Sequence, residues 1–224
     1  MRDIEFVNTK QLSKEELSKY VLETPLSFNY FLLDIKALKE RLKGHPWIKE
    51  VSIERSFPNR LQIFLSERKI AGVAALDQLM AVDASGVPIA PMSASEAQGL
   101  PILSGVSPDF FKEGGEDHIG HHLLARGLKI AKLYEESQLT RLRPLSEIYI
   151  AETGRIELML NQTRVSLGKN NFKPSLNKLE KILLHLKRRG VDASYILLSE
   201  DQTRAIVREI PIKIDGLDAN NTSP

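Results

Sequence analysis

The chain has 224 residues, of which 42% are hydrophobic and 27% charged, ordinary proportions for a folded protein of one large or two smaller domains. Its 31 basic and 29 acidic residues leave a net charge of +2, which gives no support to nucleic-acid binding; cysteine is absent, which excludes disulfides, thiol catalysis and cysteine-type zinc sites. The longest apolar run, Ile70 to Leu76, is seven residues, against about 20 for a membrane-spanning helix, and no signal-peptide pattern opens the chain.

In chain order, Ile4 to Val7 predicts a strand. Ser13 and Glu16 have capping-box spacing and start a helix to about Val21. Pro25 to Phe31 reads as a loop rich in aromatics (Phe28, Tyr30, Phe31). Asp34 caps a second helix to Lys43, with Ile35, Leu38 and Leu42 on one face, and Pro46 ends it by pushing His45 out of the α region. Val51 and Ile53 alternate with Ser52 and Glu54, the period of a half-buried strand. Phe57-Pro58-Asn59-Arg60 is turn chemistry, and Leu61, Ile63 and Leu65 repeat the two-residue period beyond it. The order strand–helix–helix–strand–strand closes a small module near residue 69.

The second region is longer. Ala71 to Leu76 and Leu79 to Val82 predict strands, and Pro88 to Gly99 a loop. Glu116 to Gln138 predicts a helix with Ile119, Leu123, Gly127, Ile130 and Tyr134 on one stripe. Strands follow at about Ser146–Ala151, Arg155–Asn161 and Thr163–Leu167, with Gly154 and Asn161-Gln162 at the turns. Phe172, Leu176, Leu179, Leu183 and Leu186 stripe another helix, ended by Gly190; Lys187-Arg188-Arg189 sits at its C-terminus, where positive charge favours the macrodipole. Tyr195–Leu198 and Arg204–Glu209 predict the closing strands, and the polar stretch after them a disordered tail over 213–224.

No set of side chains assembles into a catalytic centre. His118 and His122 are one turn apart on a helix, a spacing that suits a metal, but no third ligand is identifiable and the zinc-protease glutamate is missing. No Gly-x-Ser-x-Gly elbow is present. Gly114-Gly115 precedes a helix without the lysine of a phosphate loop and reads as a hinge. Glu116-Asp117 and Glu135-Glu136 read as a helix start and a solvated face, and Asp83 as a turn residue with Gly86 supplying a positive φ. These readings imply no enzyme, no metal and no cofactor.

His45 to Arg68 resembles the end of a POTRA domain as found in the FtsQ/DivIB family of bacterial cell-division proteins, through Pro46-Trp47-Ile48, Arg55, Pro58, Leu61 and Glu67-Arg68. Downstream, Leu79-Met80-Ala81-Val82-Asp83 with Gly86 resembles that family's strand–Asp–x–x–Gly hairpin, and Leu100-Pro101-Ile102-Leu103-Ser104-Gly105 its Leu-Pro-x-Leu-x-Gly step. Val165-Ser166-Leu167-Gly168, with Lys178-Leu179 on the following helix, resembles a strand and helix of its second domain. Together these span Ile4 to Ile210. Two positions depart from the pattern: Ile70 stands where the family usually has proline, and Leu197-Leu198-Ser199-Glu200 lacks the aspartate of the late family segment.

The resemblance implies an α+β fold: an N-terminal POTRA domain (β-α-α-β-β) over 1–70, then a mixed α/β domain with a mainly antiparallel sheet over 71–212. In such modules, aromatics like Phe28, Tyr30 and Phe31 plug the gap between two helices. The family also implies a non-enzymatic divisome scaffold that binds the small coiled-coil proteins FtsB and FtsL and helps recruit and regulate septal peptidoglycan synthesis. Other divisome components would meet the POTRA domain. It implies too a single-pass inner-membrane protein whose anchor precedes this region, so that the chain is expected to be its periplasmic piece, with Met1 added.

The physical handle for such binding is a sheet edge, whose unpaired N–H and C=O groups accept a partner strand. The last predicted strand is the candidate: Thr203, Arg204, Ala205, Ile206, Val207, Arg208 and Glu209, with Ala205 and Val207 on one side and Arg204, Ile206 and Arg208 on the other. The same charges also suit an edge blunted against aggregation. Two rivals stand beside this reading. One is a POTRA-bearing module of an outer-membrane assembly or secretion system, which carries such units in tandem before a β-barrel. The other is a wall hydrolase.

Overall fold

A computed structural model describes residues 4–7, 9–22, 34–56, 60–111, 118–199 and 204–211. The first elements are β1 (Ile4–Val7), α1 (Lys14–Leu22), α2 (Ile35–Lys43), β2 (Ile48–Ser56) and β3 (Arg60–Glu67). Their starts follow from the local signals. The Ser13 amide donates to the Glu16 carboxylate at 3.0 Å while the Glu16 amide donates to the Ser13 hydroxyl at 3.1 Å, a reciprocal capping box. Asp34 Oδ1 accepts from the Lys36 and Ala37 amides at 2.9 and 3.1 Å. The three strands pair in the order β1-β3-β2, with β1 parallel and β2 antiparallel to β3. Leu61, Ile63 and Leu65 point together into a cluster with Phe6, Leu17, Val21, Leu38, Leu42 and Val51. The aromatic loop at 25–31 and the turn at 57–59 lie outside the described residues.

The second set is β4 (Ile70–Ala75), β5 (Leu79–Asp83), β6 (Pro88–Pro91), β7 (Ile102–Ser104), α3 (Ile119–Glu135), α4 (Leu139–Leu142), β8 (Glu147–Ile150), β9 (Ile156–Leu160), β10 (Thr163–Gly168), α5 (Phe172–Arg189), β11 (Val191–Leu198) and β12 (Ala205–Pro211). These strands form one sheet in the order β12-β11-β10-β9-β8-β7-β4-β5-β6. Five of its pairings are antiparallel and three parallel. A parallel pair needs a crossover rather than a tight turn. Accordingly α3 and α4 lie between β7 and β8, and α5 between β10 and β11. Leu176, Leu179, Leu183 and Leu186 of α5 and Leu124, Leu128, Ile130 and Tyr134 of α3 pack on Ile148, Ile156, Leu158, Val165, Leu167 and Ile196 of the sheet. Gly190 ends α5 at φ +66°, a left-handed cap that glycine adopts without a Cβ clash.

Three expectations need correction. Pro88–Pro91 is a strand and not a loop, because a sheet edge tolerates proline where an interior strand does not. The helix predicted over 116–138 is described from Ile119 to Glu135, with a separate short turn of helix at Leu139–Leu142. Its buried stripe is rotated from the predicted one: Gly120, Leu124, Leu128 and Ala131 join Gly127, Ile130 and Tyr134, and Ile119 is 62% exposed. Ile102–Ser104 and the first residues of β11 are strand that the periodicity did not single out.

A polar clamp ties the helical layer to the sheet. The Tyr134 hydroxyl donates to the Arg143 carbonyl at 2.9 Å, and the Arg143 guanidinium reaches Asp192 at 2.5 Å. Buried Thr163 donates to the Ala193 carbonyl at 2.7 Å. Apolar packing carries more of the stability than these bonds, since each contributes about 1 kcal/mol net. Replacing fully buried Leu179 by alanine is therefore expected to destabilise the chain by about 2–5 kcal/mol in urea unfolding, through lost transfer energy plus the cavity left.

Candidate protein-binding edge

Among the described residues β12 is the outermost strand of the nine and pairs with β11 alone. Its register sets which backbone groups are free. Leu198, Leu197, Ile196 and Tyr195 lie opposite Ala205, Ile206, Val207 and Arg208. The Arg204 carbonyl accepts from the Ser199 amide at 3.1 Å, the Arg204 amide donates to the Ser199 hydroxyl at 3.0 Å, and the Arg208 carbonyl accepts from the Ser194 hydroxyl at 3.4 Å. In an antiparallel ladder the N–H and C=O of one residue point to the same neighbour, and successive residues alternate. Arg204, Ile206 and Arg208 therefore bond toward β11. Ala205, Val207 and Glu209 turn their amides and carbonyls to the open side. Pro211 is in the same phase, so its missing N–H subtracts nothing from the β11 ladder.

The side chains divide as well. Ala205 and Val207 are partly buried and pack on the helix-covered core. Ile206 is 64% exposed, and Arg204 and Arg208 are exposed. Glu209 pairs with Arg189 of α5 at 2.5 Å, and Lys178 of α5 donates to the Arg204 carbonyl at 2.8 Å, so α5 holds the strand at both ends. Thr203 lies outside the described residues. The opposite edge of the sheet is chemically different. β6 has four residues and begins and ends with proline, the composition of an edge blunted against strand addition. β12 has seven residues with proline only at its end.

A second arrangement joins the two sheets. The Glu67 carboxylate at the end of β3 accepts the amides of Lys10 and Gln11 at 2.8 Å and of Leu12 at 3.1 Å. The next residue, Arg68, reaches Asp83 of β5 at 2.6 Å. Asp83 is only 4% exposed, and its other oxygen accepts the Ser85 and Val87 amides at 2.9 and 3.0 Å. Gly86 completes this turn at φ +79°, where an added Cβ would sit 2.1 Å from the His121 carbonyl. The residue pattern marked Asp83 only as a turn residue. Its ion pair joins positions 15 apart in separate sheets, and the adjacency of Glu67-Arg68 to the Asp83–Gly86 hairpin was the one available signal.

The other sequence candidates lie elsewhere. His118 and His121 stack edge-on with ring centres 4.9 Å apart, beside Phe111, and His122 is exposed. Among the described residues no three His, Cys, Asp or Glu side chains are placed to hold a metal ion. Glu135 and Glu136 face solvent, and Gly114 to Asp117 lie outside the described residues. Among the described residues no helix is long and apolar enough to cross a membrane. The described residues thus offer a backbone edge and a charged junction.

Comparison with known proteins covers both sheets. Residues 73–198 match the family model of the cell division protein FtsQ/DivIB, C-terminal, and residues 1–68 that of the POTRA domain, FtsQ-type. The chain is 26% identical over 215 residues to the cell division protein FtsQ of Syntrophotalea carbinolica, covering 95% of this chain and 73% of the relative. It is 24% identical over 195 residues to that of Myxococcus fulvus, covering 87% and 68%. It is 26% identical over 199 residues to that of an Anaeromyxobacter species, covering 88% and 67%.

The junction generates two expectations. Asp83→Asn keeps an acceptor for the turn but removes the charge facing Arg68, whose side chain is 18% exposed; urea unfolding should show a loss of about 2 kcal/mol, below the range for fully buried pairs. Burial pushes the Glu67 carboxyl up, but the amides of Gln11, Lys10 and Leu12 and the Lys10 charge outweigh it and hold the group below its ordinary value of 4.5. A depressed carboxyl contributes stability that is present above the unfolded value and is lost as pH falls through the folded one. Unfolding midpoints measured from pH 6 downward should therefore fall more steeply below about 4.5 in the wild type than in Glu67→Gln.

Proposed function

The chain belongs to the FtsQ/DivIB family of cell-division proteins, and from that premise we propose that it is a divisome scaffold without catalytic activity, whose β12 edge takes up an extended strand of a small coiled-coil division protein of the FtsB or FtsL type. The observation that carries this reading is the phase of β12: the backbone groups of Ala205, Val207 and Glu209 face the open side of the sheet. A partner strand laid there continues the ladder by one, with main-chain bonds for affinity and exposed Ile206 and Arg208 offering side-chain contacts on the outer face. With α5 gripping both ends of β12 through Lys178 and Arg189, the edge is ordered before the partner arrives, which lowers the entropic cost of docking.

The family premise extends the proposal to place. This region would work outside the cytoplasm at the septum, as part of a protein held in the inner membrane by one helix, and would help to recruit and regulate the septal peptidoglycan synthase through the bound partner.

The phase of the strand makes the test sharp. Val207→Pro deletes an amide on the open side and spares the β11 ladder, whereas Ile206→Pro, one residue away, deletes one that bonds to β11. Calorimetric titration with the extracytoplasmic segment of the chain's own FtsB-type partner should show Val207→Pro folded and binding about 2- to 12-fold more weakly, the equivalent of one net hydrogen bond. Ile206→Pro should lose stability instead. Unchanged affinity in folded Val207→Pro would move the site away from this edge.

A further inference from the structure

The described residues contain a groove of about 470 Å³ where the two sheets join, lined by Lys10 and Gln11, by Trp47, and by the run from Leu65 to Ile70. Its walls are apolar where Trp47, Leu65 and Ile70 contribute, and Ile70 is among the large hydrophobic side chains left exposed. Its lining carries three cations, Lys10, Arg68 and Lys69, against one carboxylate, Glu67. Both oxygens of Glu67 are taken by the backbone amides at 10–12, and Asp83 is engaged by Arg68 and its own turn. Lys10 and Lys69 are exposed, and the Lys10 charge acts on Glu67.

We infer that this groove is a second docking site, for an acidic peptide segment of a protein partner that carries an aliphatic anchor. The anchor rests against Trp47 and Ile70, and the flanking carboxylates face Lys10 and Lys69. Charge complementarity selects this occupant: a basic segment of the same shape would bring its cations against the two lysines. The site is independent of the β12 proposal, since it shares no residue with that strand.

Trp47 is the one tryptophan of the chain, so its fluorescence reports on the groove directly. The test titrates the full chain with the capped hexapeptide Glu-Asp-Leu-Leu-Asp-Glu and, in parallel, with a peptide in which lysine replaces each acidic residue. The expected result is a saturable change in Trp47 emission for the acidic peptide, with Kd on the order of 100 µM, weakening with added salt, and none for the basic one. Lys10→Glu combined with Lys69→Glu should weaken binding at least about fivefold by removing two attractions and adding two repulsions. Lys69→Glu alone, an exposed change between β3 and β4, supplies the same comparison at about half that effect if the double variant does not fold. Absence of a saturable change, an equal response to the basic peptide, or unchanged affinity in the folded variants would overturn the proposal.

Discussion

Backbone hydrogen bonding runs through nine strands and stops at β12. Inside a sheet each peptide group must find a partner, because a buried orphan forfeits the bond it made with water. The interior strands meet this by pairing on both sides, and the terminal strands keep one side unpaired. The chain treats its two ends differently. At β6, Pro88 and Pro91 shorten and blunt the row; at β12 the groups of Ala205, Val207 and Glu209 stay available while α5 holds the strand in place. The scaffold reading depends on that asymmetry more than on any single side chain.

The charged junction solves a different problem. Two sheets joined by a two-residue connection between Glu67 and Ile70 need something to fix one against the other. Glu67 is tied back to the segment that follows β1, Arg68 is tied forward to Asp83, and Asp83 is itself locked by its turn. One consecutive pair of residues thus anchors the end of the first sheet and the start of the second. The groove beside it follows from the same arrangement, because the connection residues Arg68 and Lys69 line it together with Trp47 and Ile70. A partner bound there would share no contact residue with one bound along β12.

Local signals in the sequence fixed most elements. Capping at Ser13 and Asp34, alternation at Leu61–Leu65 and the leucine stripe of α5 are short-range effects, and each is found where the residues place it. The misses share a cause. Pro88–Pro91 reads as a loop because proline is excluded from strands with neighbours on both sides, and only its position at an edge permits it. The stripe of α3 turned toward Gly120 and Leu124 because Gly127 must lie against Leu103 and Ile150, which no periodicity reveals. Ile102–Ser104 is too short to show a period and is a strand only because β4 and β8 flank it.

For this protein the sequence by itself determined most of the helices and strands and the apolar faces of β3 and α5. Those properties depend on residues within a few positions of one another. Strand order, the partner of Asp83 and the phase of β12 were decided only by the tertiary structure. A hydrogen bond between distant strands has no local cause; it depends on which neighbour arrives and in which register, and a slip of one residue would turn the backbone groups of Val207 toward β11 and leave those of Ile206 on the open side.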